Sequence, residues 1–242
     1  MKLSIDIGNT RTKLGVFDKR KLVEQLIWND WGLKEIKALV KTRDIQEVAL
    51  SNTGKPKNKQ VINFLKKQTH FIALSHKTPL PIKNGYSTPK TLGRDRLAGV
   101  MGAYGLYPKK NCLVIDAGTC ITYDLLTKDK KYHGGSIHPG VAMRLKAMNH
   151  FTARLPLVPR RKQATLIGKS TTTAIRIGAQ IGAVAEMEGI INRYKATVGQ
   201  LTVILTGGDA DFFANQLKTK IFVNQNLVLL GLNKILNHNV QF

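Results

Sequence analysis

The feature that most constrains this chain occurs twice. Ile5-Asp6-Ile7-Gly8-Asn9-Thr10 lies near its start, and Ile115-Asp116-Ala117-Gly118-Thr119 lies near its middle. In the first copy Leu3, Ile5 and Ile7 alternate with polar residues, as in a strand with one buried face. Gly8-Asn9-Thr10 follows as a turn, because Gly and Asn tolerate the dihedrals of a tight reversal. Leu14, Val16 and Phe17 then read as a returning strand. The second copy repeats this order after its own apolar run, Cys112-Leu113-Val114-Ile115. Each copy predicts a hairpin with a carboxylate, Asp6 or Asp116, at the end of its first strand. One such pattern alone fits a common surface hairpin as well as a ligand-binding turn. Two copies in one chain imply two similar halves. A third turn, Thr206-Gly207-Gly208-Asp209, follows the apolar residues 201–205, and a Gly pair lets a ligand approach the backbone. Turn N–H groups, the Asn9 and Thr10 side chains and Lys13 suit a phosphate group, with Asp6 placed for the metal that accompanies it.

Around these turns, short apolar runs alternate with helical periodicity. Residues 21–30 continue the first hairpin as one or two strands. Leu33, Ile36, Leu39 and Val40 are spaced as one helix face, and Val61, Ile62, Phe64 and Leu65 as the apolar side of a basic helix. Val48-Ala49-Leu50 and Phe71-Ile72-Ala73-Leu74 read as further strands. This alternation argues for a layered α/β domain. Residues 78–90, with Pro79, Pro81, Gly85, Ser87 and Pro89, predict a long loop of the kind that often serves function. It runs into Thr91-Leu92-Gly93-Arg94-Asp95-Arg96 and a helix of small and apolar residues over 97–107, closed by Pro108. Asp95 and Arg96 therefore fall at a helix N-terminus, where free N–H groups and the dipole favour an anion. They fit equally a first-turn acid and a surface arginine, and the pattern alone leaves both readings open.

Farther on, Lys128-Asp129-Lys130-Lys131 is a charged hairpin turn. Gly134-Gly135-Ser136-Ile137-His138-Pro139-Gly140 reads as a Gly/Pro loop leading into a helix over 141–151. Residues 155–163 read as a basic linker and 171–194 as a helix rich in Ala, Gly and Ile. A short helix over 211–217 and a final apolar helix over 227–236, packing back on the core, complete the expectation.

Of the 242 residues 43% are hydrophobic, enough for one large domain or two smaller ones with a substantial core. No apolar run approaches the roughly 18 residues of a membrane span. Met1-Lys2-Leu3 leads straight into the first strand without a signal-peptide core, so a cytoplasmic location is expected. Cys112 and Cys120 are too few for a disulfide framework and fit a reducing compartment. The formal net charge is +23, from 38 Lys and Arg against 15 Asp and Glu. Such a bias attracts anions in general: nucleotides, phosphorylated products, nucleic acid or a membrane surface. The charge is spread along the chain, dense only at residues 55–67 and 128–131, and a solvated basic surface is the simpler account. The interleaving of aromatic and basic residues that marks single-strand binding is missing, so nucleic acid is not expected as a partner. Gly168-Lys169-Ser170 looks like the end of a P-loop, but its opening glycine would fall on Gln163 and no strand leads in. No dinucleotide fingerprint, zinc-ligand spacing or nucleophile elbow is present.

Two Asp-x-Gly hairpins with a late Gly-Gly turn resemble the actin, Hsp70 and sugar-kinase superfamily. Within it the chain resembles the type III pantothenate kinases from residue 1 to about residue 208. The specific pieces are Gly93-Arg94-Asp95-Arg96, Asp116-Ala117-Gly118-Thr119, Gly134-Gly135-Ser136-Ile137-His138-Pro139-Gly140 and Thr152-Ala153-Arg154-Leu155-Pro156. The resemblance implies an α/β fold of two ribonuclease-H-like, actin-like ATPase domains, residues 1–110 and 111–242, with the nucleotide cleft between them, in a homodimer. It implies ATP-dependent phosphorylation of pantothenate to 4'-phosphopantothenate, the first step of coenzyme A synthesis, with Mg²⁺ and a monovalent cation, K⁺ or NH₄⁺. By the same resemblance Asp6, Ile7, Gly8, Asn9, Thr10, Arg11, Thr12 and Lys13 form the first ATP-phosphate segment, and Thr119 is its partner. Asp116 resembles the residue that holds the monovalent cation, and the chemistry of the site makes Asp6 the expected anchor for Mg²⁺, directly or through water. Tyr86, Gly93, Arg94, Asp95, Arg96 and Thr171 match contacts to pantothenate, and Asp95 matches the proton acceptor for its primary hydroxyl.

This division of labour is chemically sound. Phosphoryl transfer has a loose transition state, so the protein mostly positions groups and stabilises charge. A carboxylate with an ordinary pKa of ~3.9 is a weak base, so Asp95 would mainly orient the hydroxyl and take its proton late, with Asp116 a second candidate for this work. Two departures from the family pattern stand out: Cys120 in place of Ala, and Thr173 in place of an acid. A kinase for another small hydroxyl substrate and a catalytically idle relative that binds nucleic acid or regulates remain the rival readings.

Overall fold

The computed structural model describes residues 1–54, 59–161 and 165–240. The start of the dense basic stretch 55–67 and the Gln163 end of the basic linker lie outside the described residues. The chain divides into two compact units. One comprises Met1–Lys110, Leu126–Gly134 and Asn226–Phe242, the other Asn111–Leu125 and Gly135–Gln225.

In the first unit β1 (Lys2–Ile7) and β2 (Thr12–Asp18) form the expected hairpin, and β3 (Lys21–Trp28) extends it antiparallel. After α1 (Leu33–Thr42) the chain returns as β4 (Glu47–Asn52), parallel to β1 on its other side. After α2 (Lys59–Gln68) it returns again as β5 (His70–Ala73), parallel to β4. The sheet order is β3-β2-β1-β4-β5. Each helix gives the sheet a single apolar stripe. Ile36 and Leu39 of α1 and Val61 and Leu65 of α2 are buried, while Lys37, Lys41, Lys66 and Lys67 stay exposed. Inside the predicted 78–90 loop a two-residue strand, β6 (Lys83–Asn84), pairs in parallel with Lys131 and Tyr132. The following helix, α3 (Arg94–Leu106), starts at Arg94.

The second unit repeats the plan. β7 (Cys112–Ala117) and β8 (Cys120–Leu126) are neighbours, and β9 (Lys131–Pro139) follows, with its residues 135–139 in this unit and 131–134 in the first. Then come α4 (Val141–His150), the long α5 (Thr171–Val198), and β10 (Thr202–Thr206), which lies parallel to β7. A short α6 (Ala210–Ala214) precedes β11 (Phe222–Val223), parallel to β10. Apart from the two-residue edge strand β6 beside β9, the order β9-β8-β7-β10-β11 matches that of the first sheet strand for strand. The repeat read from two Asp-x-Gly turns is thus a repeat of topology.

Two expectations are corrected. Residues 134–139 are not loop but the second half of β9. Gly135 explains the strand: a Cβ there would sit 1.6 Å from the Tyr123 carbonyl oxygen, so only glycine lets the two backbones lie this close. The final helix, α7 (Leu227–Asn239), belongs to the first unit and not to the half in which sequence order places it. Eight of its thirteen residues are buried, and it packs on α3. A Cβ on Gly102 would lie 2.3 Å from the Leu227 carbonyl oxygen, and one on Gly231 would lie 1.7 Å from that of Ala98. The glycines on both helices are what let them meet backbone to backbone.

Candidate active site

The two central strands end alike. β1 delivers Asp6 and β7 delivers Asp116, each one residue before the strand stops. Asp6 lies across from Lys13 of β2 and beside Ser51 of β4, and Asp116 lies beside Thr206 of β10. Loops beyond the carboxyl ends of parallel strands are where α/β sheets take their ligands.

In the first hairpin the Gly8 N–H donates to the Arg11 carbonyl at 3.1 Å and closes a four-residue turn, with Asn9, Thr10 and Arg11 exposed. Two members of the predicted phosphate segment face inward instead. The Ile7 side chain is in the core, and the buried Thr12 hydroxyl accepts from Trp31 Nε1 at 2.9 Å. Both fasten the hairpin to the sheet. The segment after β4 backs the same turn. The N–H groups of Thr53 and Gly54 donate to the Ile7 carbonyl at 3.0 and 3.1 Å.

Thr53 also joins this turn to Asp95. Its hydroxyl lies 3.4 Å from Asp95 Oδ2 and 3.4 Å from the Ile7 carbonyl. Asp95 is in the first turn of α3, and its Oδ1 accepts the Arg96 N–H at 2.8 Å. Gly93 makes room for it, because a Cβ there would lie 2.6 Å from Oδ1. Arg96 is buried, which excludes the surface-arginine reading, and its guanidinium lies 5.7 Å from the centre of the Tyr86 ring. That ring stacks on Tyr132 at 6.3 Å. Tyr86, Gly93, Asp95 and Arg96 therefore converge. Arg94 turns away, donating to the carbonyls of Leu92 at 2.7 Å and Lys90 at 3.2 Å, and so clamps its own loop.

The second hairpin is tighter. The Gly118 N–H donates to the Cys120 carbonyl at 2.9 Å, and Thr119 is exposed at the tip. Gly140 braces it from one direction, its N–H donating to the Thr119 carbonyl at 3.1 Å. The Gly207 turn braces it from another. Gly207 has φ +96°, and a Cβ there would lie 2.4 Å from Asp116 Oδ1 and 2.3 Å from the Ala117 carbonyl oxygen. The Asp209 N–H donates to that same carbonyl at 2.8 Å. Thr171 is the exposed first residue of α5. Thr173 performs the capping that an acid would: its hydroxyl accepts the Ser170 N–H at 3.0 Å while Ser170 Oγ accepts the Thr173 N–H at 3.3 Å. Behind the hairpin, burial raises the Tyr123 hydroxyl well above the usual phenol range, and the charge of Glu186 adds to this.

The family model of type III pantothenate kinase matches residues 2–193. The chain belongs to this family. A type III pantothenate kinase of Phocaeicola vulgatus is 43% identical over 245 residues, covering 99% of each chain. Among solved structures, a conserved Campylobacter jejuni protein assigned to the Baf family of transcriptional activators aligns with TM-score 0.62 at 24% identity, over 99% of this chain and 100% of that one. The activator of 2-hydroxyisocaproyl-CoA dehydratase from Clostridium difficile, solved with bound ADPNP, aligns with TM-score 0.55 at 14% identity, over 99% and 95%. At these identities the solved structures speak to fold alone, a mixed α/β fold with two sheets. The protein is an ATP-dependent pantothenate kinase. No helix among the described residues is long and apolar enough to cross a membrane.

Sequence reasoning missed Thr53 and Gly54 in this kinase. Their signal was present: Ser51-Asn52-Thr53-Gly54 is a run of small polar residues directly after an apolar strand, as both hairpin turns are. The metal expectations can be weighed against the donors. Among the described residues no group of three His, Cys, Asp or Glu side chains is placed to hold a metal by itself. What the strand ends offer is single carboxylates and backbone carbonyls, all oxygen. That suits Mg²⁺, which commonly takes one or two carboxylates and completes its shell with water and substrate phosphate. It also suits an alkali cation at Asp116, where the Ala117 carbonyl lies at the same glycine turn.

Proposed function

We propose that the kinase carries the γ-phosphoryl group of ATP to the primary hydroxyl of pantothenate at Asp95. The observation that supports this most is the Thr53 bridge: its N–H donates to the Ile7 carbonyl at the end of β1 at 3.0 Å, which leaves its one hydroxyl proton for the Asp95 carboxylate. Asp95 orients the hydroxyl and receives its proton as the new O–P bond forms. Buried Arg96 meets the carboxylate of the substrate, with Tyr86 forming the wall beside it and Thr171 adding a polar contact. Gly8 through Arg11 and Lys13, at the first hairpin, take the phosphates, and Thr119, at the second hairpin, contacts ATP. Asp6 would hold Mg²⁺, directly or through water, and Asp116 with the Ala117 carbonyl would hold a potassium or ammonium ion. When bound, these cations supply neutralising charge for the phosphate oxygens. We take the two units for the two ribonuclease-H-like domains, the active species for a homodimer and the cytoplasm for its location.

The deciding experiment is a coupled ADP-release assay with pantothenate, with and without potassium, run beside Asp95→Asn. The native enzyme turns over pantothenate and is stimulated by potassium. Asp95→Asn lowers kcat by about 10²–10⁴-fold while its thermal unfolding is unchanged, the span typical of a lost acid–base group. Turnover of hexoses but not pantothenate would transfer the site to another hydroxyl substrate. Full activity in Asp95→Asn would remove that residue from the chemistry.

A further inference from the structure

Glu186 lies on α5, outside every motif that marks the active site, yet it is tied to the segment that braces the second hairpin. Arg144 Nη2 donates to both of its carboxylate oxygens, at 2.7 and 2.8 Å. Through Nε the same guanidinium donates to the Pro139 carbonyl at 2.9 Å. His138 reaches the carboxylate too, with Nδ1 3.2 Å from Oε1. The other ring nitrogen of His138 lies 2.8 Å from Ser136 Oγ, and the ring meets Tyr123 edge to face at 4.9 Å. Residues 136, 138 and 139 are thus all referred to one carboxylate. The next residue, Gly140, holds the Thr119 carbonyl through its N–H, and its own carbonyl accepts the Arg144 N–H at 3.0 Å.

The order of links is Glu186, Arg144 with His138, Pro139-Gly140, then Thr119. Each link is a hydrogen bond or close ionic contact in the second unit. A planar guanidinium that serves two carboxylate oxygens and one carbonyl has little rotational freedom left, so it fixes the carbonyl as well as the acid. The side chains of Arg144 and Glu186 are only 18% and 29% exposed, which shields the pair more than an open surface bridge. Gly140 needs such support. A Cβ there would collide with the Gly118 and Thr119 carbonyl oxygens at 2.2 and 2.6 Å, so the contact requires a residue with no side chain to hold it in place.

We propose that Glu186 is a positioning residue for the Gly118–Thr119 turn, acting through Arg144 and residues 138–140 to set Thr119 for ATP. The proposal rests on the reading of Thr119 as an ATP contact. It is tested with Glu186→Ala, Glu186→Gln, Thr119→Ala and the double variant Glu186→Ala/Thr119→Ala, measuring KM for each substrate, kcat, ADP affinity by titration and thermal unfolding. Glu186→Ala raises KM for ATP and weakens ADP about five- to tenfold, while KM for pantothenate moves less than about twofold. Glu186→Gln, which keeps one oxygen for Arg144, falls between this and the native enzyme. In the Thr119→Ala background Glu186→Ala adds less than about twofold, because residues acting on one contact do not add.

A lower unfolding temperature with unchanged nucleotide affinity would reduce Glu186 to a structural tie and overturn the proposal, as would additive effects in the double variant. If Thr119→Ala itself leaves nucleotide affinity unchanged, the reading of Thr119 has failed and takes this one with it. If Thr119→Ala weakens ATP and Glu186→Ala does not, only the positioning role falls.

Discussion

The first and second Asp-tipped hairpins share a sheet plan and differ in bracing. The first ends in a four-residue turn with three exposed polar residues, backed by one neighbouring segment, Thr53-Gly54. The second turns within two residues and is held by two segments, Gly140 and the Gly207–Asp209 turn. In both, the carbonyl of the residue after the aspartate accepts N–H donors from the loop after the parallel strand: Ile7 from Thr53 and Gly54, Ala117 from Asp209. The difference is therefore not in how the carboxylate is presented but in what surrounds it. A long exposed turn offers several donors to a phosphate chain. A short turn pinned from two directions offers a fixed carbonyl and carboxylate, which suits a cation.

The largest effect should come from exchanging the two acids for amides. On the reading proposed for Asp6, Asp6→Asn is expected to lower kcat by about 10²–10³-fold at every potassium concentration, because it removes the carboxylate proposed to hold Mg²⁺ at the phosphates. Asp116→Asn should instead shift the potassium activation curve to higher concentration, with smaller loss at saturation. Steady-state kinetics across a potassium series separates the two. Identical, potassium-independent losses would erase the functional distinction between the hairpins.

The glycines that back the turns come next. Gly207 combines φ +96° with a Cβ position 2.3 Å from the Ala117 carbonyl oxygen. Gly54 has no positive φ, but its Cβ would lie 2.4 Å from the Gly8 carbonyl oxygen. Both clashes are with backbone and cannot be relieved by a rotamer change. Gly207→Ala should cost about 2–4 kcal/mol in urea unfolding and Gly54→Ala about 1–3 kcal/mol, the gap reflecting added backbone strain at Gly207. A reversed order would mean that the first turn, not the second, is the more tightly held.

Much of this arrangement was legible in the sequence. The repeat of Asp-x-Gly turns announced a repeat of topology, since a turn composition and an apolar strand are both local signals. Legibility ended where structure depends on partners distant in the chain. Nothing local distinguishes the glycines of 134–140 as strand, because the reason is the Tyr123 carbonyl on another strand. Nothing local assigns α7 to the first unit, because the reason is the glycines of α3. In the candidate site, Asp95 and Arg96 were readable as a motif, but the burial of Arg96 and the bridge through Thr53 were not. The inward-facing roles of Ile7 and Thr12 were likewise hidden inside a segment whose motif speaks only of phosphate.

Thr12 supplies the smallest and sharpest contrast. On the returning strand of the first hairpin its buried hydroxyl is matched by Trp31 Nε1 at 2.9 Å. On the returning strand of the second, the Thr122 hydroxyl is buried with no hydrogen-bond partner among the described residues. The same Thr→Val change should therefore have opposite consequences. Thr12→Val takes from the Trp31 indole the acceptor it uses and should destabilise by about 1–2 kcal/mol, the usual loss when a buried donor loses its mate. Thr122→Val removes a hydroxyl that already lacks compensation and gains a methyl on a strand, so it should be neutral or stabilising by about 0.5 kcal/mol. Urea unfolding of both variants against the native enzyme reads the pair directly. Equal destabilisation would show that the second hairpin satisfies Thr122 through ordered water, and that the two returning strands are anchored with equal care.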